Sequence, residues 1–376
     1  MPPTVGVRGG HAEDNLAAPA APARALSGVG DNPRAVQAVV KPTAAPGFVL
    51  ADVPQPEPGD GELLLRVAAA SVCGSDVHLY DWNPWAAARV RPPRVIGHEL
   101  CGEVVGRGPG ADLADGRRVA VESHIVCGHC NSCLRGDFHV CLFTRILGVD
   151  VDGGFTDLVV VPQANVFPIG DDVTAEVAAA LEPVGNAVHA CAYGELAGRT
   201  VAVFGCGPIG CAAIAIARAQ GAAAVIAIDR NRYRLDLAER MGATTQLMAD
   251  DNIERSVRTA AAGSDIDCVL EMSGAPSAVL AATHLVRPGG WISLLGIGDE
   301  PTTIDLSNDV VMKGISLHGV VGRRLPQTWE ATMEYVRSGA VDVSALITHH
   351  HAMSEIEVVI ELIKSGQCGK VSLHPG

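Results

Sequence analysis

Between Thr200 and Ile297 the chain alternates short apolar runs with segments of helical spacing, and that alternation leaves few folds open. TVAVFG (Thr200–Gly205) reads as a strand covered on both faces. IGCAAIAIARAQG follows with helical periodicity, and AVIAID, RNRYRLDLAERMG, DCVLEMSG and WISLLGI continue the pattern. Strands alternating with helices over about 120 residues build a parallel, doubly wound α/β sheet.

The first strand-to-helix turn of this region is Gly205-Cys206-Gly207-Pro208-Ile209-Gly210. A lone G-x-G-x-x-G is a weak signal in a chain with 42 glycines, but here it ends a strand and opens a helix. Gly205 permits the tight turn, Gly207 lets the backbone approach a pyrophosphate, and Gly210 allows close helix–strand packing. The helix start then offers N–H groups and a positive dipole end to phosphate. Asp229 closes the next strand, where a carboxylate binds the ribose hydroxyls of NAD and repels the extra phosphate of NADP. Arg230 and Arg234 stand close enough in sequence to favour that phosphate instead.

The chain upstream has a different texture. From Ala35 short β-branched runs are broken by Gly and Pro (AVQAVVKP, GELLLRVAAASVCGSD, GHELCGEVVGRG), which predicts an antiparallel, β-rich unit. Further strands are predicted at Arg118–Val121 and Phe155–Val161, and helices at Ala175–Leu181 and Gly185–Gly194. The tail from Thr328 predicts a helix, the run THHH, a second helix (SEIEVVIELIKSG) and a final strand, KVSLH. The expected division is a catalytic unit at 35–185 and 321–376 and a dinucleotide unit at 186–320. Residues 1–34, rich in Ala, Pro and Gly without a compact apolar run, are expected to be a disordered extension rather than a secretion signal. A net charge of −14 gives no footprint for nucleic acid or anionic membrane, and no apolar run is long enough to span a bilayer. These features lead us to expect a cytoplasmic protein.

Four of the 11 cysteines crowd into one loop: Cys127, Cys130, Cys133 and Cys141. Four thiolates close a tetrahedral zinc site, leaving no position for substrate, so this group reads as structural. Iron–sulfur spacing differs, with three residues before the last Cys and a Pro after it. A second set is dispersed: Cys73 in VCGSDVH, His98-Glu99 in VIGHE and Glu182 in ALEPVGNAVH. One Cys, one His and a carboxylate, with a position left open, describe a catalytic zinc.

Taken in order, C-G-S-D-x-H, G-H-E-x-x-G, the four-Cys loop, E-P-x-G-N-A-V-H and G-x-G-P-I-G resemble the zinc-containing medium-chain dehydrogenase family from Ala35 to the carboxyl terminus. That resemblance implies a Rossmann domain beside a β-rich, GroES-like catalytic domain, with two zinc ions and NAD as cofactors. Asp76–Trp82, His124–Cys130, Gly185–Ala190, Glu271–Pro276 and Ile347–His350 look most like the threonine 3-dehydrogenase branch. By the same resemblance Cys73, His98 and either Glu99 or Glu182 ligate the catalytic zinc, the two acids exchanging as substrate enters. Ser75 and His78 match proton-relay positions. Ile209, Asp229, Arg234, Leu295, Gly296, Ile297, Val320 and Val321 match cofactor-contacting ones.

Three departures bear on the substrate. Ser75 stands where threonine-acting members usually carry Thr, and polyol dehydrogenases commonly carry Ser. Val321 replaces an expected aromatic, and the usual G-D-R-V turn is Gly116-Arg117-Arg118-Val119. The expected reaction is oxidation of a secondary alcohol: zinc acidifies the hydroxyl, Ser75 and His78 carry its proton away, and hydride passes to NAD. L-Threonine leads as substrate, a polyol or aminocyclitol is the rival, and a zinc-stapled NAD-binding protein without turnover is the third reading. The expected assembly is a homo-oligomer, with a tetramer favoured.

Overall fold

A computed structural model describes residues 35–298 and 300–376; the extension expected at 1–34 lies outside the described residues. The predicted parallel sheet is present. Its six strands run in the order Thr245–Met248, Ala224–Asp229, Thr200–Phe204, Ile266–Glu271, Val286–Leu294, Ser316–Gly319, every neighbouring pair parallel. All five residues of Thr200–Phe204 are buried, because helices cover both faces. Val201 and Val203 join the core that holds Ile214 of helix Pro208–Ala219, while Ala202 and Phe204 join the core on the opposite face. The chain first works outward to Thr245–Met248 and then crosses back to Ile266–Glu271. Strand order therefore reverses beside Thr200–Phe204 and opens a crevice at the carboxyl ends.

The upstream segment forms the expected β-rich unit. Glu62–Ser71 is its hub, pairing antiparallel with Glu99–Arg107, with Leu158–Pro162 and with the final strand Lys370–His374. Arg118–Val121 and Val166–Pro168 extend one side of this sheet, and Ile347–Ala352 lies parallel to the final strand on the other. Leu63, Leu65, Val67, Leu100 and Val371 fill one core with Ile356, Val359 and Ile360 of helix Ile356–Ser365.

Local boundaries differ from expectation where tertiary bonding intervenes. The strand predicted from Phe155 begins at Leu158. Phe155 already donates its N–H to Ile96 and accepts from Val39, so its backbone is unavailable to the ladder. The helix predicted from Gly185 starts at Leu181 and ends at Ala190. Pro183 does not break it, because the N–H that proline lacks is unneeded in a first turn. The THHH run is a strand, Ile347–Ala352. The sequence reading also missed strands Thr245–Met248 and Ser316–Gly319 and helices Gly74–Asp81, Ile253–Ala260 and Pro276–Leu285.

A buried ionic cluster joins the two units. Arg323, four residues beyond the last parallel strand, donates from Nε to Glu122 Oε2 at 2.7 Å and from Nη2 to Glu122 Oε1. Its Nη1 lies 2.8 Å from Glu182 Oε1 and 3.1 Å from Asn186 Oδ1. Trp329 Nε1 and the His124 N–H complete the shell of Glu122 at 2.7 and 2.8 Å. Burial works against the Glu122 charge, but Arg323 outweighs it and lowers the carboxyl to about 2.

Replacing Glu122 by Ala should cost about 3–5 kcal/mol, because a buried guanidinium loses its principal partner. Urea unfolding of the metal-loaded protein measures this. The Glu122 pKa is depressed in the folded state, so its stabilisation is complete above the ordinary carboxylate pKa near 4.5 and is lost as pH falls toward about 2. An unchanged unfolding midpoint in Glu122→Ala would show that Arg323 finds another partner.

Candidate active site

The dispersed residues Cys73, His98 and Glu99 converge: their donor atoms all lie within 4.8 Å of one another. Cys73 caps helix Gly74–Asp81, and Glu99 opens strand Glu99–Arg107, pairing in register with Ser71. Glu99 is fully buried; its Oε2 accepts from Lys370 Nζ and Ser71 Oγ, while its Oε1 has no partner. His98 presents Nε2 to Ser75 Oγ at 3.4 Å and Nδ1 to Asp76 Oδ1 at 3.7 Å, and both of the latter atoms are buried and otherwise unpartnered. Asp76 also accepts the Cys73 N–H at 2.9 Å.

That pattern fits a metal. A carboxylate behind the far nitrogen of a ligating His sets its tautomer and leaves the near nitrogen free for the cation. Burial opposes positive charge here, yet Asp76, Cys73 and Glu182 push the His98 imidazole up to about 10. The field in the pocket therefore favours a cation. Glu182 itself lies outside the three-residue cluster, its Oε1 held by Ser123 Oγ at 2.5 Å and by Arg323.

The four-Cys loop fits zinc still more closely. Sγ–Sγ separations are 3.9 Å for Cys127–Cys133, 3.6 Å for Cys130–Cys133, 3.9 Å for Cys130–Cys141 and 3.6 Å for Cys127–Cys141. A zinc–sulfur tetrahedron with bonds of about 2.3 Å has edges of about 3.8 Å. Backbone N–H groups of Cys127, Cys130 and Phe143 each point at a sulfur from 3.4 Å, which stabilises thiolate. All eleven cysteines are free of disulfides.

The expected cofactor residues line the carboxyl edge of the parallel sheet. Gly205 has φ +86°, and a Cβ on Gly210 would lie 1.9 Å from the Gly205 carbonyl oxygen. A Cβ on Gly207 would meet nothing within 4 Å, so open space stands over the turn. Helix Pro208–Ala219, which carries Ile209, starts there with Pro208 at its first position and no side-chain cap. An uncapped helix start facing open space fits a pyrophosphate. Asp229 closes its strand and accepts the Cys206 N–H at 2.7 Å and the Asn231 N–H at 2.8 Å, tying the glycine turn to the next helix. Arg234 lies on that helix with a buried, unpartnered Nε. Leu295, Gly296 and Ile297 follow the strand ending at Leu294, Ile297 being 95% exposed. Val320 is buried and Val321 exposed beyond the strand ending at Gly319.

His78 is exposed on the same helix as Ser75, its Nδ1 3.1 Å from Asn83 Nδ2. Three residues with evident roles escaped the sequence reading. Asp76 sat inside a quoted motif without a function. A lysine among the apolar positions of KVSLH could have flagged Lys370. Nothing local marked Arg323.

Comparison with known proteins agrees with this geometry. Residues 59–172 match the alcohol dehydrogenase GroES-like domain, and residues 208–338 the zinc-binding dehydrogenase domain. An L-threonine 3-dehydrogenase of Bacillus licheniformis is 44% identical over 342 residues, covering 90% of this chain and 99% of that one. The chain belongs to the zinc-dependent medium-chain alcohol dehydrogenases. Among solved structures, an alcohol dehydrogenase of Escherichia coli CFT073 complexed with NADH superposes on this dehydrogenase with a TM-score of 0.83. It shares 28% identity and covers 91% of this chain and 99% of its own. A zinc-binding dehydrogenase of Sinorhizobium meliloti 1021, bound to NADP, gives 0.83 at 29% identity with the same coverage. The dehydrogenase is thus an NAD-dependent zinc oxidoreductase acting on a CH–OH group, with two candidate zinc clusters. Among the described residues no helix is long and apolar enough to cross a membrane.

The two clusters should separate by substitution. Cys130→Ser should lower Tm and soluble yield and remove one zinc per chain, because a structural site contributes folding free energy. His98→Ala should abolish turnover with Tm little changed. Metal analysis and thermal melts decide; a Cys130→Ser protein that loses only activity would refute the structural assignment.

Proposed function

We propose that this dehydrogenase oxidises L-threonine to L-2-amino-3-oxobutanoate with NAD. One observation carries the substrate: the 44% identity to the B. licheniformis L-threonine 3-dehydrogenase over 99% of that protein's length.

In this reading Cys73, His98 and Glu99 hold the catalytic zinc and Cys127, Cys130, Cys133 and Cys141 the structural one. When bound, the catalytic zinc supplies a Lewis acid for the alcohol oxygen, and NAD supplies the hydride acceptor. Lys370 and Ser71 occupy one oxygen of Glu99 and leave the other for the metal. Ser75, whose Oγ lies 3.4 Å from His98 Nε2, would relay the hydroxyl proton by accepting it as its own proton moves on, and exposed His78 would be the group that releases a proton to solvent. Glu182 stays with Arg323 and Ser123 in the resting state. Gly205, Gly207, Pro208, Ile209 and Gly210 receive the pyrophosphate, and Asp229 with Arg234 the adenosine ribose. Leu295, Gly296, Ile297, Val320 and Val321 flank the nicotinamide. The catalytic domain comprises 35–185 and 321–376 and the cofactor domain 186–320, the first boundary falling inside helix Leu181–Ala190.

A cytoplasmic setting suits eleven free cysteines and thiolate-based metal sites. A homotetramer suits the exposed Leu306, Val311 and Met312, which precede the edge strand Ser316–Gly319. Ser75 and Val321 favour the second reading, a polyol or aminocyclitol substrate.

Asp229→Ala should weaken NAD binding by roughly 1.5–3 kcal/mol and narrow the gap to NADP. Because Asp229 also anchors the glycine turn, NAD titration is paired with a thermal melt. Equal wild-type kcat/KM with both cofactors would assign the outcome to Arg230 or Arg234.

Kinetics on L-threonine, D-threonine, sorbitol, an aminocyclitol and 2-butanol test the substrate. A site built for ammonium and carboxylate rejects 2-butanol by a factor reaching about 10⁴. Efficient turnover of 2-butanol would make the pocket apolar and end the threonine reading. A tenfold advantage for sorbitol or the aminocyclitol would transfer the assignment to the polyol class.

A further inference from the structure

A third group of metal-type donors meets at the edge of the antiparallel sheet and shares no residue with the sites above. Glu176 lies in the first turn of helix Ala175–Ala179, His350 on strand Ile347–Ala352 and His374 on strand Lys370–His374. These two strands are parallel, with His350 opposite Ser372 and Ala352 opposite His374. The two-residue period therefore puts His350, Ser372 and His374 on one face.

A ring nitrogen from each imidazole and a carboxylate oxygen of Glu176 lie within 4.8 Å of one another. Glu176 Oε1 stands 3.8 Å from His374 Nε2, and the two rings are 6.1 Å apart between centroids. Ser372 Oγ lies 3.0 Å from His374 Nε2, the nitrogen that also faces Glu176, so a cation bound there takes the place of that hydrogen bond. Burial raises the Glu176 carboxyl, but hydrogen bonds at its helix start and the nearby His374 and His350 outweigh it and keep it ionised below the usual range. Glu176 and His374 are half-buried and His350 is exposed, so water can complete a coordination shell. One divalent cation satisfies all three donors at once.

We propose that Glu176, His350 and His374 form a third metal site, taking a borderline divalent cation such as Zn²⁺ or Ni²⁺. Two imidazoles and one carboxylate suit these ions and not Mg²⁺ or Ca²⁺, which prefer all-oxygen shells. Occupancy ties helix Ala175–Ala179 to the last two strands. The final strand also carries Lys370, which holds Glu99, so the ion braces the strand behind the catalytic cluster. The proposal does not depend on the substrate.

The experiment compares wild type with His350→Ala, His374→Ala and His351→Ala. His351 points from the opposite face toward Glu355, 3.3 Å away, and serves as the control. Each protein is equilibrated with Zn²⁺ alone at stepped concentrations, and bound zinc and Tm are measured. Wild type and His351→Ala should bind one more zinc per chain than His350→Ala and His374→Ala, with a rise in Tm that those two variants lack. Because the readout is the difference between proteins, it stands whatever the occupancy of the other two clusters. Equal zinc content in wild type and His350→Ala up to millimolar zinc overturns the proposal. Loss of the extra ion in His351→Ala instead would place it elsewhere and overturn it too. Should His374→Ala fold poorly, the exposed position His350 decides alone.

Discussion

The guanidinium of Arg323 is buried where the two halves of the molecule meet, and each half depends on how its charge is met. It comes from the segment just past the last parallel strand. Its partners belong elsewhere: Glu122 just past strand Arg118–Val121 of the antiparallel sheet, and Glu182 on the helix leading into the parallel one. A buried charge pair contributes little net stability against an apolar substitute, but it is costly to break. Its effect here is therefore on geometry. The carboxyl edge of the parallel sheet cannot move relative to the β-rich unit without stranding one guanidinium and two carboxylates. The same cluster keeps Glu182 close enough for its charge to reach His98.

The two zinc clusters are built by opposite means. In the Cys127–Cys141 loop, spacing alone brings the sulfurs near one another, and backbone N–H groups favour their ionised form. Four thiolates fill a tetrahedron and leave no room for a fifth partner. In the catalytic cluster each ligand is fixed from behind: Glu99 by Lys370 and Ser71, His98 by Asp76, and Cys73 by the hydrogen bond from its own N–H to Asp76. Three candidate donors gather there, and Ser75 Oγ stands 3.4 Å from His98 Nε2. A closed site contributes to folding and an open one to chemistry, and only the supporting residues make the second kind accurate.

Legibility followed sequence distance. The strand-to-helix turn at Gly205–Gly210, the acid at Asp229 and the four-Cys loop could all be read, because each feature is complete within a few tens of residues. Cys73, His98 and Glu99 were readable only through family motifs, since nothing in their spacing says that they meet. Lys370 was read as one more residue of a strand. It reaches Glu99 across 271 positions, through pairing of the final strand with Glu62–Ser71. The helix expected from Gly185 starts at Leu181, because Pro183 falls in its first turn, where a proline is tolerated.

By itself the sequence determined the α/β alternation, the dinucleotide turn, the cysteine loop and the identity of the donor atoms. Hydrophobic period, glycine geometry and short ligand spacing are local properties, and local properties survive in a string of letters. Only the tertiary structure decided which carboxylate gathers with Cys73 and His98. Strand register gives one oxygen of Glu99 to Lys370 and sets its carboxylate within 4.8 Å of the Cys73 and His98 donor atoms, while Arg323 and Ser123 keep hold of Glu182. That choice rests on the pairing of strands and the burial of charges hundreds of residues apart, which no local pattern encodes.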